Sequence, residues 1–207
     1  FRYAQRRRPL GFKRWGVYPH RVVDRHHPLV NGVNTRFDVP HSRWNAVTRE
    51  QFDAAGLRVL VARDGGGVHL ATSADGIRFV FFQGHPEYDT ISLLKEYKRE
   101  VMRFAAGETA HYPPFVDHYF SARNRALLRE YRQRLEIAMA AAEPPPSFPD
   151  ALLEQDLDNT WRDTAHAVVG NWMGLVYQTT HRDRRRQFMD GVDPEDPLAL
   201  GTERSGH

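Results

Sequence analysis

A mixed α/β fold is what the sequence predicts, on three observations. Residues 57 to 84 hold three short runs rich in β-branched and aromatic residues, separated by glycine turns. Later segments repeat apolar residues at helical spacing. A histidine, a proline and a glutamate stand directly behind the last of the three runs, and open α/β sheets gather their active sites at the carboxyl ends of strands.

The runs are "LRVLVA", "VHLATS" and "IRFVFFQ", broken by "RDGGG" and "ADG", which predicts three adjacent strands joined by tight turns. The last run is the most apolar, as expected of a strand covered on both faces. A helix should follow from about Thr90, because Leu93, Leu94, Tyr97, Val101 and Phe104 form one apolar stripe. Ser92, Lys95, Arg99 and Arg103 fall on its other side, and Gly107 is its expected terminator. Residues 121 to 142 predict a long, charged amphipathic helix ended by "EPPPSFP", a stiff connector.

A final helix is expected over residues 161 to 177. Thr160 and Asp163 have capping-box spacing, with Asp in place of the usual Glu or Gln. Trp161, Ala165, Val168, Val169, Trp172 and Val176 would supply its buried face. The polar tail after His181 should be loosely held. Two upstream stretches, "RRRPLGFKR" (6 to 14) and "VPHSRWN" (39 to 45), read as polar loops, the first basic enough to attract phosphate.

The chain has 207 residues, enough for one substantial core, with 41% hydrophobic and 27% charged residues, a globular composition. The net charge of +3 (29 basic against 26 acidic) does not call for a nucleic-acid partner, though it suits an anionic small molecule. No apolar run approaches the roughly 20 residues of a membrane helix. The opening residues lack a signal-peptide pattern and there is no cysteine, so disulfides are excluded and the cytoplasm is the expected compartment. The absence of an initiator Met is expected of a processed or partial chain.

In extended backbone, residues two apart point the same way, so His85 and Glu87 can converge, and Pro86 disfavours helical geometry at His85. A carboxylate that accepts from one imidazole nitrogen fixes the tautomer and leaves the other nitrogen free as a base. Gly84 permits a sharp turn or a close backbone approach. A surface histidine in a proline-containing turn would have the same tripeptide. Arg99 and Lys95 read, from periodicity alone, as a solvated helix face. His20, His26, His27 and His41 have no metal-ligand spacing, and no metal site is expected.

"GVYPHRV" (16 to 22), "FDVPHSRW" (37 to 44), "GHPEYD" (84 to 89), "EYKRE" (96 to 100) and "NWMGLVYQTT" (171 to 180) together resemble the homoserine O-succinyltransferase family. The resemblance covers nearly the whole chain except residues 121 to 142 and the tail, which look like lineage-specific additions. Class I glutamine amidotransferases share the Gly-His-Pro-Glu piece, and the flanking motifs favour the acyltransferase.

The resemblance implies a flavodoxin-like, glutamine-amidotransferase-type sheet flanked by helices. Residues 1 to 181 would be the C-terminal portion of one domain, with 121 to 149 a helical insertion and connector and 182 to 207 a tail. It also implies a cysteine thiolate that takes succinyl from succinyl-CoA and passes it to the hydroxyl of L-homoserine in methionine biosynthesis, with no other cofactor. By motif match His85 is the general base and Glu87 its orienter. Lys13, Ser42 and Arg99 would bind substrate.

The family's cysteine and first strands are expected just upstream of these residues, with residues 1 to 5 ending the helix that follows that cysteine. Small molecules, not nucleic acid or membrane, are the expected partners, with a homodimer as the family's frequent state. The alternatives are an acetyl-CoA-dependent relative, a glutamine amidotransferase domain, and a non-catalytic remnant.

Overall fold

The computed structural model describes residue 3 and residues 5 to 201. Most of the helix end expected over residues 1 to 5, and residues 202 to 207 of the tail, lie outside the described residues. Strands and helices both form, as the α/β expectation required. In chain order they are β1 (Arg8–Val22), a 3₁₀ turn (Pro28–Val30), β2 (Arg36–Ala46), α1 (Arg49–Ala54), β3 (Arg58–Ala62), β4 (Val68–Thr72), β5 (Val80–Phe82), α2 (Ser92–Ala105), α3 (Ala122–Ala140), α4 (Asp150–Glu154) and α5 (Arg162–Thr179).

Five strands make one sheet in the order β2-β1-β3-β4-β5. β1 pairs with β3, β3 with β4 and β4 with β5, each antiparallel, and β3 carries register shifts around Val61. The three strands read from residues 57 to 84 are therefore adjacent, as expected. The coverage expected of the last one is corrected. β4 is buried at every position, whereas β5 lies at the sheet edge and all three of its residues are half-buried. Apolarity marked β5 as a core strand, but a strand with one neighbour cannot be enclosed like one with two.

The two stretches read as loops are also corrected. Residues 8 to 14 belong to β1 and residues 39 to 45 to β2. Their basic and polar side chains hid the strands: residues 8 to 14 are exposed or half-buried throughout, and in β2 the buried residues Val39, Pro40 and His41 are consecutive, so neither stretch shows the alternation that marks a strand in sequence. The short helix α1 was missed, although its signal is present. Thr48 accepts from the Gln51 amide, and the Gln51 side chain accepts from the Thr48 amide, which is a complete capping box.

The contacts divide the chain into two compact units: residues 1–14, 19–86 and 160–207, and residues 15–18 and 87–159. In the first unit Leu29, Val30, Leu60, Val61, Leu70 and Val168 form one apolar cluster, joined by Trp172 and Leu175 of α5. Phe52, Leu57, Val59, Ala62, Val68 and Ala71 form another, which brings α1 against the sheet. Asn171 fastens α5 to the 3₁₀ turn by donating to the Leu29 and Asn31 carbonyls at 3.0 and 2.8 Å.

α5 differs from its expected form in two respects. Its buried residues include Thr164, Ala165, Val168 and Thr179, while Val169 and Val176 are exposed beside Met173 and Tyr177. Trp161, Ala165 and Val168 are buried and Trp172 packs on the core as expected, with Thr164 and Leu175 in place of Val169 and Val176. The expected Thr160 cap is also absent, since the Thr160 hydroxyl instead donates to Asp38 at 2.7 Å. The tail is better held than expected. Met189 N–H bonds to the Thr179 carbonyl, Phe188 is buried, and Leu198 and Leu200 pack at Gly76.

In the second unit the α2 stripe is as predicted, with Leu93, Leu94, Tyr97 and Val101 buried. Gly107 follows the helix at φ +72°, and the Gly107 and Glu108 amides bond to the Phe104 and Arg103 carbonyls. This double closure is the Schellman motif, and it needs a left-handed residue that glycine adopts without strain. α3 starts on Ser121, whose hydroxyl accepts from Asn124 N–H. The proline-rich connector is packed: Phe148 lies edge-on to Tyr131, and the Tyr131 hydroxyl donates to the Pro146 carbonyl.

Candidate active site

β5 ends at Phe82, and the chain leaves the sheet through Gln83, Gly84 and His85. Gln83 N–H makes the last ladder bond, to the His69 carbonyl at 2.9 Å. The Gln83 side chain saturates its own amide. Its oxygen accepts from Val47 N–H (2.8 Å) and Arg43 Nη1 (2.9 Å), and its nitrogen donates to the Val47 and Val68 carbonyls (each 2.9 Å). One residue thus ties the end of β2 to β4 directly before the histidine.

Gly84 is buried and sits where no side chain fits. A Cβ there would lie 2.4 Å from Val39 Cγ1, 2.9 Å from His69 Nδ1 and 3.0 Å from His41 Cε1. Of the two roles open to this glycine, close backbone approach is the one realised. Its amide faces His69 Nδ1 at 3.3 Å, and the His85 amide donates to the Pro40 carbonyl at 2.8 Å. His85 itself is half-buried.

Behind this exit lies a group of histidines that the sequence did not single out. His20 of β1, His41 of β2 and His69 of β4 are all buried. The Nε2 atoms of His20 and His41 are 3.3 Å apart, so one ring donates and the other accepts across that pair. The ring centroid of His69 lies 5.4 Å from that of His20 and 6.2 Å from that of His41. Burial pushes His69 well below the usual imidazole range, with His20, Arg43 and His85 adding to the effect. Burial lowers His41 in the same way, helped by Arg43, His20, His69 and Arg14. Both are neutral near pH 7. The signal in the sequence was "VHLAT", a titratable residue inside a run that becomes wholly buried.

Ser42 alternates with His41 on β2 and is half-buried. It lines a cleft of about 460 Å³ with Arg7, Arg43, Trp44, Phe81 and Gln83. That volume lies in the range of small-molecule sites. Trp44 is 60% exposed over it. Lys13 is half-buried on β1 in the same unit. The first unit therefore holds three of the five expected residues, Lys13, Ser42 and His85. The other two belong to the second unit. Glu87 is exposed in the turn after Pro86, and Arg99 is exposed on α2 with its Nε 3.3 Å from Glu100. The solvated position that periodicity assigned to Arg99 is the one it has.

The first unit thus holds an imidazole on hydrogen-bonded backbone at the exit of β5, and a cleft lined by two guanidinium-bearing side chains, Arg7 and Arg43. The family model described as homoserine O-succinyltransferase matches residues 1–182. The chain belongs to the homoserine O-succinyltransferase family. The matched range of the family takes in α3, which the sequence had set apart.

Over 200 residues the chain is 60% identical to the homoserine O-succinyltransferase of Nitrosococcus oceani and 62% identical to that of Allochromatium vinosum. It is 57% identical over 200 residues to the homoserine O-succinyltransferase of Methylococcus capsulatus. Each alignment covers 97% of this chain and 56% of the relative, so the chain spans about half the length of the curated relatives it matches. Among the described residues, no helix is long and apolar enough to cross a membrane.

Proposed function

We propose that these residues carry the proton-transfer half of a cytoplasmic homoserine O-succinyltransferase. The observation that supports it best is His85, a half-buried imidazole on backbone held by bonds from both the Gly84 and His85 amides. In this reading a cysteine thiolate outside the 207 residues attacks the thioester carbonyl of succinyl-CoA and expels CoA as its thiolate. His85 then takes the proton of the homoserine hydroxyl as the oxygen attacks the enzyme thioester. The cysteine leaves as thiolate, and O-succinyl-homoserine departs. Glu87 orients the imidazole, Arg99 grips the homoserine carboxylate, and Lys13 and Ser42 contact substrate. Succinyl-CoA serves as a substrate, and the reaction uses no further cofactor.

The test uses the longer protein that bears these residues, with each half-reaction assayed separately. His85→Asn should lower kcat/KM for homoserine by roughly 10²- to 10⁴-fold. Glu87→Gln should do less, because the base survives and only its orientation suffers. Near-normal rates for His85→Asn would remove the general-base role. A control with acetyl-CoA separates the succinyl reading from an acetyl one, and a glutaminase assay separates both from an amidotransferase.

A further inference from the structure

We propose that His69 is a positioning residue, whose Nδ1 holds the Gly84 amide and so sets the backbone from which His85 presents its imidazole. The inference rests on the general-base reading of His85.

The sheet ends one residue too early to hold the histidine. Gln83 N–H takes the last ladder bond, to the His69 carbonyl at 2.9 Å. The next amide, Gly84, has moved beyond β4's backbone acceptors and is buried. An unmatched buried amide costs about 1–3 kcal/mol. The His69 ring supplies the acceptor, with Nδ1 at 3.3 Å from Gly84 N. His69 therefore receives two successive amides, one on its carbonyl and one on its side chain. The third, His85 N–H, goes to the Pro40 carbonyl at 2.8 Å. Three consecutive amides are thus bound to β4 and β2 as the chain turns out of the sheet.

The geometry dictates the protonation. An Nδ1 that accepts a backbone N–H is bare, so the neutral His69 ring carries its proton on Nε2. The ring is enclosed by His20 from β1, His41 and Arg43 from β2, and His85, with Phe37 and Phe82 against its faces and edges. Burial and cationic Arg43 both disfavour a charged ring, which agrees with the downward shift of its pKa. The turn passes directly against the ring, since a Cβ at Gly84 would lie 2.9 Å from His69 Nδ1 and 2.4 Å from Val39 Cγ1. A changed ring would therefore move the turn.

Two variants separate positioning from packing. His69→Asn keeps an oxygen acceptor near the place of Nδ1, and His69→Leu fills the space without one. In the 207-residue chain, nitrogen-detected NMR should find His69 Nδ1 without a proton. Gly84 amide exchange should quicken in His69→Leu and stay slow in His69→Asn. The His85 ring resonances should move further in His69→Leu than in His69→Asn. In the longer enzyme, His69→Leu should lower kcat about 10- to 100-fold, the scale of a misplaced reacting group, with KM for homoserine little changed, and His69→Asn should restore it.

Equal damage by the two variants would overturn the proposal, as would an undisturbed Gly84 and His85 in His69→Leu. If His69→Leu does not fold, the protonation state of Nδ1 in the unaltered chain decides, since a proton found there excludes the bond. Failure of the general-base reading leaves a different trace: His85→Asn would turn over normally while the NMR results at Gly84 stood.

Discussion

In the first unit His20, His27, His41 and His69 are all at most 4% exposed among aliphatic strand residues. The second unit's interior is built instead on Tyr97, whose ring lies 6.0 Å from Trp15, 6.2 Å from Phe115 and 5.1 Å from Phe120. Its buried polar groups include several phenols and the Asn124 amide. Tyr119, for instance, donates to the Thr90 carbonyl at 2.5 Å and accepts from Leu94 N–H at 3.3 Å. Burial acts on both kinds of group in the same sense, against charge, with different consequences. It raises the phenols Tyr97 and Tyr119, already neutral at physiological pH, still further from it. It lowers imidazoles, so the unfolded chain binds protons just below neutrality that the folded one refuses. Buried histidines thus tie the first unit's stability to pH just below neutrality, an effect that buried tyrosines do not produce in the second.

Acid titration should give the largest effect. His27 is lowered to about 4 by burial, and His41 and His69 are lowered as well. These are depressed folded-state values, so below the unfolded value of about 6.5 the unfolded state holds more protons and stability falls as pH falls. Each such histidine contributes a slope of about 1.4 kcal/mol per pH unit, for His27 until about pH 4. Hydrogen exchange between pH 7 and 4.5 should show protection lost first in β3 and β4 and later in α2 and α3. Simultaneous loss would break the comparison.

Gly84→Ala should come next. Its Cβ meets Val39 Cγ1 at 2.4 Å, and overpacking of this kind costs about 1–3 kcal/mol. Denaturant unfolding would measure it, and a neutral result would mean that the histidine layer can yield. Asn171→Ala sharpens the same point away from the histidines. It removes two bonds to the Leu29 and Asn31 carbonyls, for an expected loss of about 1–2 kcal/mol without altered pH dependence.

Arg99→Lys should have the smallest effect on stability, within about 0.5 kcal/mol, because the side chain is 61% exposed and its partner Glu100 is a surface neighbour. In the longer enzyme the same change should raise KM for homoserine roughly 10- to 100-fold, as for a lost hydrogen bond to a charged group, and spare thioester formation. Damage to neither step would leave Arg99 a surface charge.

Elements with one strong periodic signal were legible. The α2 stripe, its Gly107 stop and the strands β3 and β4 stand where spacing and turn residues put them. α5 was legible as a helix with Trp161, Ala165 and Val168 inward, but Val169 and Val176 were wrongly added to that face, because they are as apolar as Val168 and only the packed neighbours choose among them. β1 and β2 escaped because their polar residues suggested loops. The position of His85 behind a strand was legible, and Gly84 was read as permitting a sharp turn or a close approach without deciding between them.

Local sequence settled what depends on neighbours along the chain: the α2 stripe, the double closure at Gly107, the Thr48 capping box, and the motifs that mark the family. Only the tertiary structure decided what depends on residues far apart. His20, His41 and His69 come from three strands, and no spacing announces that they meet. Gly84 is required not by its own backbone angle but by Val39 and two imidazoles that the sheet brings within 3.0 Å of where its Cβ would be. The edge position of β5 follows from strand order. Hydrophobicity reports whether a residue prefers burial. Which partner buries it, and which buried nitrogen is left to hold the turn before His85, is set by long-range packing alone.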